Sequence, residues 1–394
     1  AAMFGGYPAF GINTFATNPD LRPERTNSSE LGIDLRFAKG RFGADLAVYD
    51  MTTEDQIIYL PVATSTGRTS RLANGGAIRN RGIELQLFGD IVKNDKLTWN
   101  SRINLGANRA VVTELPDGVS GGYPIVASMF PNDGGTVGLE YVAVEGELLG
   151  LLKGLTFMRD ADGNIIHENG LPMVSEEKST IGSYQPKARI GWMNSFSVGN
   201  WQANILFDGQ IGGLIYSRSH TLHNTAGNLV NDDDPHLDMN AIDGRVVYDV
   251  TYDGNGEPVY NLDQAGGVVG SGVMYDASGN LVANTVSVPI RDYYYKYYGN
   301  VWSRDNIEPS TFDASYLKLR QLSIAYTVPA DKLANTGLKG LTVSFVGRNL
   351  LLFTKVPTID PETYSIRNGL FVNGYESTSM PSLRSFGFSI NANL

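Results

Sequence analysis

The sequence has no cysteine, few charges and no long apolar run. Without cysteine there can be no disulfide framework, thiolate metal site or cysteine nucleophile, and such a chain fits an oxidising compartment of the cell envelope. Charged residues make up 18% of the chain, below the roughly 25% of soluble globular proteins. Apolar runs such as residues 350–353 are far shorter than the ~20 residues of a membrane helix, so no helical span is expected.

The charge balance and the abundant residue types narrow the class further. The formal net charge is −10, which argues against a nucleic-acid partner, because phosphate binding needs clustered Lys and Arg. The 45 glycines and the 10% of aromatic residues favour β-structure with many turns. The first residues have neither the basic start nor the apolar stretch of a secretory signal, so we expect a mature chain or one without its natural start.

Apolar and polar residues alternate along much of the sequence. Leu31, Ile33, Leu35 and Phe37 share one face of a predicted strand, which a tight turn joins to a second strand ending near Val48. We count about nine such strands, most of them near the ~9–11 residues of a tilted transmembrane strand. The other seven are predicted around residues 83–87, 97–105, 188–196, 201–207, 315–328, 341–352 and 383–394.

Short and long connections alternate between these strands. The short ones are 38–41, 91–96, 199–200 and 329–340, and the long ones are 51–80, 109–185, 212–313 and 353–382. Outer-membrane barrels show this asymmetry, with short periplasmic turns and long extracellular loops. The pattern therefore predicts an all-β fold, an antiparallel transmembrane β-barrel with long extracellular loops and a periplasmic C-terminus.

The polar faces of the strands carry too many hydrogen-bonding groups for a dry core, since an unpaired buried polar group costs about 1–3 kcal/mol. A water-filled or plugged lumen accepts them. The predicted lumen residues include Arg102, Asn104, Arg189, Asp208 and Gln210.

Two alternatives to this interpretation remain. One is a soluble or surface-attached β-sandwich that binds glycans, in which Trp99, Trp192 and Trp201 would be buried against a facing sheet. The other is a passive porin-like channel.

Nine strands are too few for a closed barrel with such a lumen, because barrels of about eight strands are filled by their own side chains. An open sheet edge in lipid would leave backbone N–H and C=O groups unpaired. We therefore expect the strand near Leu31 and the one ending at Leu394 to pair with further polypeptide, so that the chain is a portion of a larger barrel.

Four motifs, in order, resemble those of the SusC/RagA-type TonB-dependent outer-membrane transporters. They are NPDLRPER at 18–25, NRGIEL at 80–85, ASYLKLR at 314–320 and GRNLLLFT at 347–354 with DPE at 360–362. The resemblance implies that residues 1–394 are the C-terminal part of a barrel of about 22 strands. It implies that the plug domain, the TonB-contacting segment and the first barrel strands lie outside this chain.

The same resemblance implies active import of a large nutrient, an oligosaccharide or an oligopeptide, across the cell outer membrane. Energy would come through the TonB complex, and a SusD-like surface lipoprotein would cover the outer mouth of the barrel. The other expected partners are the remaining barrel strands, the plug and outer-membrane lipid, and no cofactor is implied.

Residues 291–302 form the densest aromatic cluster of the sequence. Because tyrosine and tryptophan faces stack on sugar rings and peptide side chains, they are candidate substrate contacts. Two other roles compete, an aromatic girdle at the membrane interface and packing of a long loop against its neighbours, which general aromatic burial favours. The candidates are Tyr293, Tyr294, Tyr297 and Trp302.

Neither a metal site nor an enzyme is predicted. His220, His223 and His236, near the aspartates of 232–234, lie in a segment with little of the rigid support that zinc ligands need. Asp160 and Asp276 begin Asp-x-x-Gly-Asn sequences, which predict β-turns because the glycine is misplaced for a calcium loop. No nucleophile elbow accompanies the Ser, His and Asp residues.

Overall fold

Nine long strands form one antiparallel sheet in which every strand lies beside its neighbour in the chain. The computed structural model describes residues 2–4, 7–9, 15–119, 121–126, 138–226, 249–252, 254–255, 258–261, 268–299, 306–334, 336–363, 365–367 and 370–393. The strands are β1 (Arg25–Phe37), β2 (Phe42–Glu54), β3 (Ala77–Lys93), β4 (Thr98–Glu114), β5 (Ala188–Val198), β6 (Trp201–Ile211), β7 (Tyr316–Thr327), β8 (Gly340–Thr354) and β9 (Ser385–Asn393). We call this sheet the wall.

The connections of the wall alternate in length as the sequence predicts. Short turns at 38–41, 94–97, 199–200 and 328–339 lie at one end, and four long loops lie at the other. We call these loops L1 (55–76), L2 (115–187), L3 (212–315) and L4 (355–384). The strand count and the order of connections are confirmed, so the predicted all-β, antiparallel fold is correct.

The boundaries at the long-loop end differ from the sequence prediction. β2 and β3 stay paired as far as Glu54 and Ala77, whereas the alternation of apolar residues ends near Val48 and Ile83. Polar cross-strand contacts continue the ladder, such as the 3.0 Å hydrogen bond between the hydroxyls of Thr26 and Thr53. Because apolar periodicity marks only the part of a strand that needs an apolar face, it underestimates strand length here.

The wall is open, as expected. β1 and β9 form its two edges, and within the described part of the chain each pairs with a single wall strand. Every residue of both edge strands is exposed. The sheet therefore does not close on itself.

One face of the wall, which we call the outer face, is apolar and exposed. Trp192 is 39% exposed and Trp201 is 54% exposed, and no second sheet covers this face in the residues that the structure describes. The β-sandwich alternative is therefore wrong, since it requires buried tryptophans. Other large apolar residues exposed on the outer face are Leu31, Ile33, Leu35, Phe37, Val48, Ile83, Leu87, Leu105, Leu317, Ile324, Val343, Leu351, Phe353, Phe386, Phe388 and Ile390.

Two polar side chains on the outer face are capped by tryptophans. The Trp99 indole donates to Oδ1 of Asn194 at 3.0 Å, and the Trp192 indole donates to Oγ of Ser101 at 2.9 Å. Asn194 is only 4% exposed. A polar group on a surface without water needs such a partner, so these pairs fit an apolar environment.

The remaining regular structure lies mostly in the long loops, with short strands before β1 and one 3₁₀ turn in the short connection 328–339. The helices are α1 (Arg218–Thr225) and α2 (Ile290–Tyr297), with 3₁₀ turns at Thr64–Thr66, Glu308–Ser310 and Ala330–Lys332. No helix among the described residues is long and apolar enough to cross a membrane. The short strands are Ala2–Phe4, Tyr7–Ala9, Phe15–Ala16, Ile57–Pro61, Ser70–Asn74, Tyr123–Val126, Glu140–Ala143, Leu151–Gly154, Ile166–Glu168, Leu171–Pro172, Ser179–Ser183, Leu214–Ser217, Asp249–Tyr252, Pro258–Asn261, Val273–Tyr275, Leu281–Ala283, Thr311–Asp313, Ser365–Arg367, Leu370–Val372 and Tyr375–Glu376.

Loops L2, L3 and L4 pack into one body, which we call the loop layer. Its largest buried cluster combines Leu139, Leu152, Tyr216, Ile307 and Tyr375 from all three loops. A three-stranded sheet also joins Leu214–Ser217 and Thr311–Asp313 of L3 to Tyr375–Glu376 of L4. The loops therefore have a core of their own.

The Asp-x-x-Gly-Asn sequences form turns, as predicted. Asp160 Oδ1 accepts from the backbone N–H groups of Asp162 and Asn164 at 3.0 and 2.8 Å. Asp276 makes the same two contacts at the tip of the hairpin between Val273–Tyr275 and Leu281–Ala283.

Candidate functional site

The face opposite the apolar one, which we call the inner face, is lined with polar side chains in matching rows. Asn104 of β4 lies opposite Gln86 of β3 and, across Gly191 of β5, in the row of Asp208 of β6. One step along, Gly106, Arg189 and Gln210 form the next row. Since side chains two residues apart share a face, the five predicted lumen residues lie on one surface.

Many of these side chains bond to one another across strands. Gln86 Nε2 donates to Asn104 Oδ1 at 2.9 Å, and the Tyr49 hydroxyl passes over Gly82 to donate to Asn108 Oδ1 at 3.0 Å. A Cβ at Gly82 would collide with the Tyr49 ring. The inner face is thus a hydrogen-bonded polar surface.

An acidic cavity of about 620 Å³ lies on the inner face. Arg189 is the basic residue in its lining. Two of its carboxylates form ion pairs with residues outside the lining, Asp208 with Arg320 and Asp45 with Arg36. Of the other predicted lumen residues, Arg102 stacks over Phe88 at 5.5 Å and Gln210 donates weakly to backbone oxygens. The carboxylates lining the cavity are Glu30, Asp34, Asp45, Glu84 and Asp208.

A charged network joins the inner face to loop L4. Lys318 of β7 donates to both carboxylate oxygens of Asp360 at 2.6 and 2.7 Å and also bonds Glu362. The side chains of Lys318 and Asp360 are only 3% and 6% exposed. Arg320 bonds Asp208 and, at 2.6 Å, Glu362. The network holds L4 against the wall.

The network lies at a β-bulge. The pairing of β7 shifts register around Arg320 on both sides, against β6 and against β8. Asn349 of β8, opposite the bulge, has a left-handed φ of 52° and accepts from Arg320 at 3.4 Å. Arg320 faces the inner side two residues after Lys318. The bulge changes the alternation beyond it, so that Leu322 and Ile324 take the outer face. Burial raises the pKa of Glu362, but its bonds to Arg320 and Lys318 prevail and lower the pKa to about 2.

A second buried carboxylate holds helix α1 in the loop layer. Glu376 of L4 is fully buried and accepts from the hydroxyls of Ser217 and Ser219 at 2.8 and 2.6 Å and from the Ser379 N–H at 3.0 Å. Ser217 is also the N-cap, whose hydroxyl accepts from the His220 N–H. Three donors satisfy the charge, so L3 and L4 are fixed to each other.

His220, one of the histidines that the sequence places near a run of aspartates, has a structural role. His220 lies 3.0 Å from Ser310 Oγ through Nδ1 and 3.0 Å from the Asn224 amide through Nε2. Burial, with a smaller effect of His223, lowers the pKa of His220 to about 4. Among the described residues no group of three or more His, Cys, Asp or Glu could hold a metal ion. Residues 232–236 lie outside the described residues.

The tyrosines of α2 pack inside the loop layer. Tyr293 and Tyr294 are 2% and 3% exposed. Tyr293 is 3.1 Å from Nε2 of His167, and Tyr297 packs on Phe157 with ring centroids 4.7 Å apart. These contacts give the tyrosines a packing role, and their contact with a substrate stays a prediction. Trp302 lies outside the described residues.

The charged network was not among the sites predicted from the sequence. Its signal is present: Lys318 and Arg320 are two apart on a predicted strand, and Asp360 and Glu362 are two apart in the following long loop. Two cations on one strand face could have been matched to that acidic pair.

Comparison with known proteins agrees with this architecture. The sequence profile of the family described as TonB dependent receptor-like, beta-barrel, matches residues 1–251. A TonB-dependent receptor of Formosa agariphila is 26% identical over 398 residues, which cover 95% of this chain and 35% of that protein. The TonB-dependent receptor SusC of Bacteroides thetaiotaomicron is 24% identical over 131 residues, 32% of this chain and 13% of SusC.

The fold also matches a solved transporter. The RagAB peptide importer in its closed-closed state aligns with a TM-score of 0.62 at 19% identity, over 95% of this chain and 36% of that chain. This chain spans about a third of the length of the curated relatives that match along most of it. The resemblance inferred from the four motifs is confirmed, and the chain belongs to the TonB-dependent receptor-like β-barrel family.

Proposed function

We propose that this chain supplies part of the wall and of the outer loops of a transporter that imports a large nutrient across the outer membrane, powered through TonB. The observation that carries the proposal is the open wall, with an exposed apolar face and a polar inner face, in a member of this family. The apolar face would meet lipid and the inner face would line the lumen. The long loops would then be extracellular and the C-terminal strand would end in the periplasm.

The partners follow from the same proposal. Residues 1–394 would be the C-terminal part of a barrel of about 22 strands, and further strands would pair with the edges β1 and β9, since a sheet in lipid must close. A plug domain would fill the lumen and contact TonB. A SusD-like surface lipoprotein would dock on the loop layer, as the likeness to SusC and to the fold of the RagAB importer supports.

The substrate would be an oligopeptide or an oligosaccharide. We propose that the inner-face side chains contact the plug or the passing substrate, and that Tyr297 and Trp302 are substrate contacts in the loops. The fold likeness to a peptide importer supports peptides as the first class to test. The inner-face residues are Arg102, Asn104, Arg189, Asp208 and Gln210.

Uptake by whole cells tests the proposal. Cells with and without the gene for the full-length protein take up fluorescently labelled oligopeptides or oligosaccharides of graded length, with and without a protonophore that removes the energy source of TonB. We expect uptake that depends on both the gene and the proton gradient. Uptake that persists without the gradient, together with steady ion conductance in planar bilayers, would instead identify a passive porin-like channel.

A further inference from the structure

The outer face of the wall changes from apolar to basic toward the long-loop end. Ile83 and Leu105 belong to its exposed apolar part. Arg81 lies two residues from Ile83 on the same face of β3, and it pairs directly with Arg109 of β4. Arg81, Arg109 and Lys187, just before β5, are all exposed. Three cations therefore border the apolar surface.

These cations line a cavity of about 650 Å³. It forms because β4 and β5 stop pairing beyond Gly106 and Arg189, while β4 continues to Glu114. Gln185 bridges the gap by bonding the backbone of Ala110 through both its amide oxygen and nitrogen, at 2.9 and 3.0 Å. The apolar part of the lining consists of Ile83, Ala107, Leu148 and Pro186.

The cavity carries uncompensated positive charge. Asp50 bonds Arg81 at 3.0 Å, but the same carboxylate also holds Arg79 through two hydrogen bonds. Arg109 and Lys187 make no ion pair with any residue that the structure describes, and none of the residues lining the cavity is acidic. A bound anion would therefore gain charge-assisted hydrogen bonds.

The position of the cavity matches the level of lipid headgroups. Trp99 lies at the short-turn end of β4, and Arg109 is ten residues further along the same strand, or about 33 Å at ~3.3 Å per residue. With the ~40° tilt of barrel strands this is about 25 Å across the membrane, the height of the apolar band of such barrels. If Trp99 marks one interface, Arg109 lies at the other.

We propose that this cavity binds the phosphate of an anionic lipid of the outer leaflet, between Arg81, Arg109 and Lys187, with the acyl chains along Ile83 and Leu105. The inference rests on the proposed function, because that function puts the long-loop end at the outer surface of the membrane. The positive charge of the cavity favours an anionic headgroup. The adjoining apolar surface favours a lipid over a free anion, because it can also contact the acyl chains.

Lipid binding to the full-length transporter tests this site. The protein in a neutral detergent is titrated with diphosphorylated lipid A and with dephosphorylated lipid A, and binding is read by native mass spectrometry. We expect the double variant Arg109→Glu, Lys187→Glu to bind the phosphorylated form about 30-fold more weakly. A control with the same charge change at the opposite end, Lys332→Glu, Lys339→Glu, should bind as the wild type does.

Three results would overturn the site: equal binding by the cavity variant and the wild type, equal binding of the dephosphorylated lipid, or full competition by inorganic phosphate at the concentration of the lipid. The milder variant Arg109→Gln, Lys187→Gln serves if the charge reversal prevents folding. Energised uptake by the wild type is measured separately, so that failure of the import function and failure of the lipid site give different results.

Discussion

The wall and the loop layer place their apolar side chains in opposite ways. The three buried apolar clusters formed by the described residues all come from the loops, whereas the wall leaves residues such as Phe388 and Trp201 79% and 54% exposed on its outer face. The loop layer resembles a small water-soluble protein with its own core. The wall instead depends on an apolar environment supplied from outside.

The two regions also differ in where they place their polar groups. In the loop layer, Glu376 and His220 are buried and are satisfied by neighbouring hydroxyls and amides. In the wall, polar side chains such as Gln86 and Asn104 face the inner surface, and Asn194, buried on the outer face, is capped by Trp99. A charged contact, Lys318 with Asp360, crosses between the two regions. Each region is therefore stable for a different reason, and different substitutions should destabilise it.

The largest expected effect breaks the contact between the regions. Lys318→Met would leave the buried Asp360 carboxylate without its cation, and removal of one partner of a buried ion pair costs about 3–5 kcal/mol. Hydrogen exchange of the full-length protein should show L4 released from the wall. Lys339→Met, at an exposed turn, is the matched control. The double variant Lys318→Met, Asp360→Leu should recover most of the loss, and no recovery would contradict the ion-pair explanation.

The effect of a charged substitution on the outer face should distinguish a wall that faces lipid from a sheet that faces water. Leu105 and Asn104 are adjacent in β4 and face opposite sides. Leu105→Arg near the middle of the apolar band should lower the free energy of unfolding in lipid vesicles by about 2–4 kcal/mol. Asn104→Arg, on the inner face, should change it by less than about 0.5 kcal/mol. Equal effects of the two substitutions would mean that the outer face does not meet lipid.

Acid should weaken the loop layer and leave the wall intact. The pKa of His220 is about 4 in the folded protein and about 6.5 when unfolded, so the unfolded chain binds more protons between these values. Stability is therefore present above pH 6.5 and is lost as the pH falls toward 4, by about 2 kcal/mol between pH 7 and pH 5. Hydrogen exchange of α1 at several pH values measures this loss of stability. His220→Gln, whose side chain does not titrate between pH 4 and pH 7, should remove this part of the pH dependence.

The sequence was informative wherever a pattern was local. The alternation around Leu31 to Phe37 predicted the β1–β2 hairpin, and the position of glycine after Asp160 and Asp276 predicted turns. The parts of β2 and β3 nearest the long loops were missed because Asp50, Thr53 and Arg79 form cross-strand contacts through polar groups. Such residues do not produce an alternation of apolar and polar positions. The network of Lys318 with Asp360 was missed because its partners lie 42 residues apart.

By itself the sequence determined that this protein is a sheet with one apolar and one polar side and with long connections at one end, because side-chain alternation and loop length are properties of the linear chain. Only the tertiary structure decided which loop residues form a core, which tyrosines are buried, and where β4 and β5 separate to leave a basic cavity. Those features arise from contacts between segments far apart in the chain, and no periodicity within a single strand encodes them.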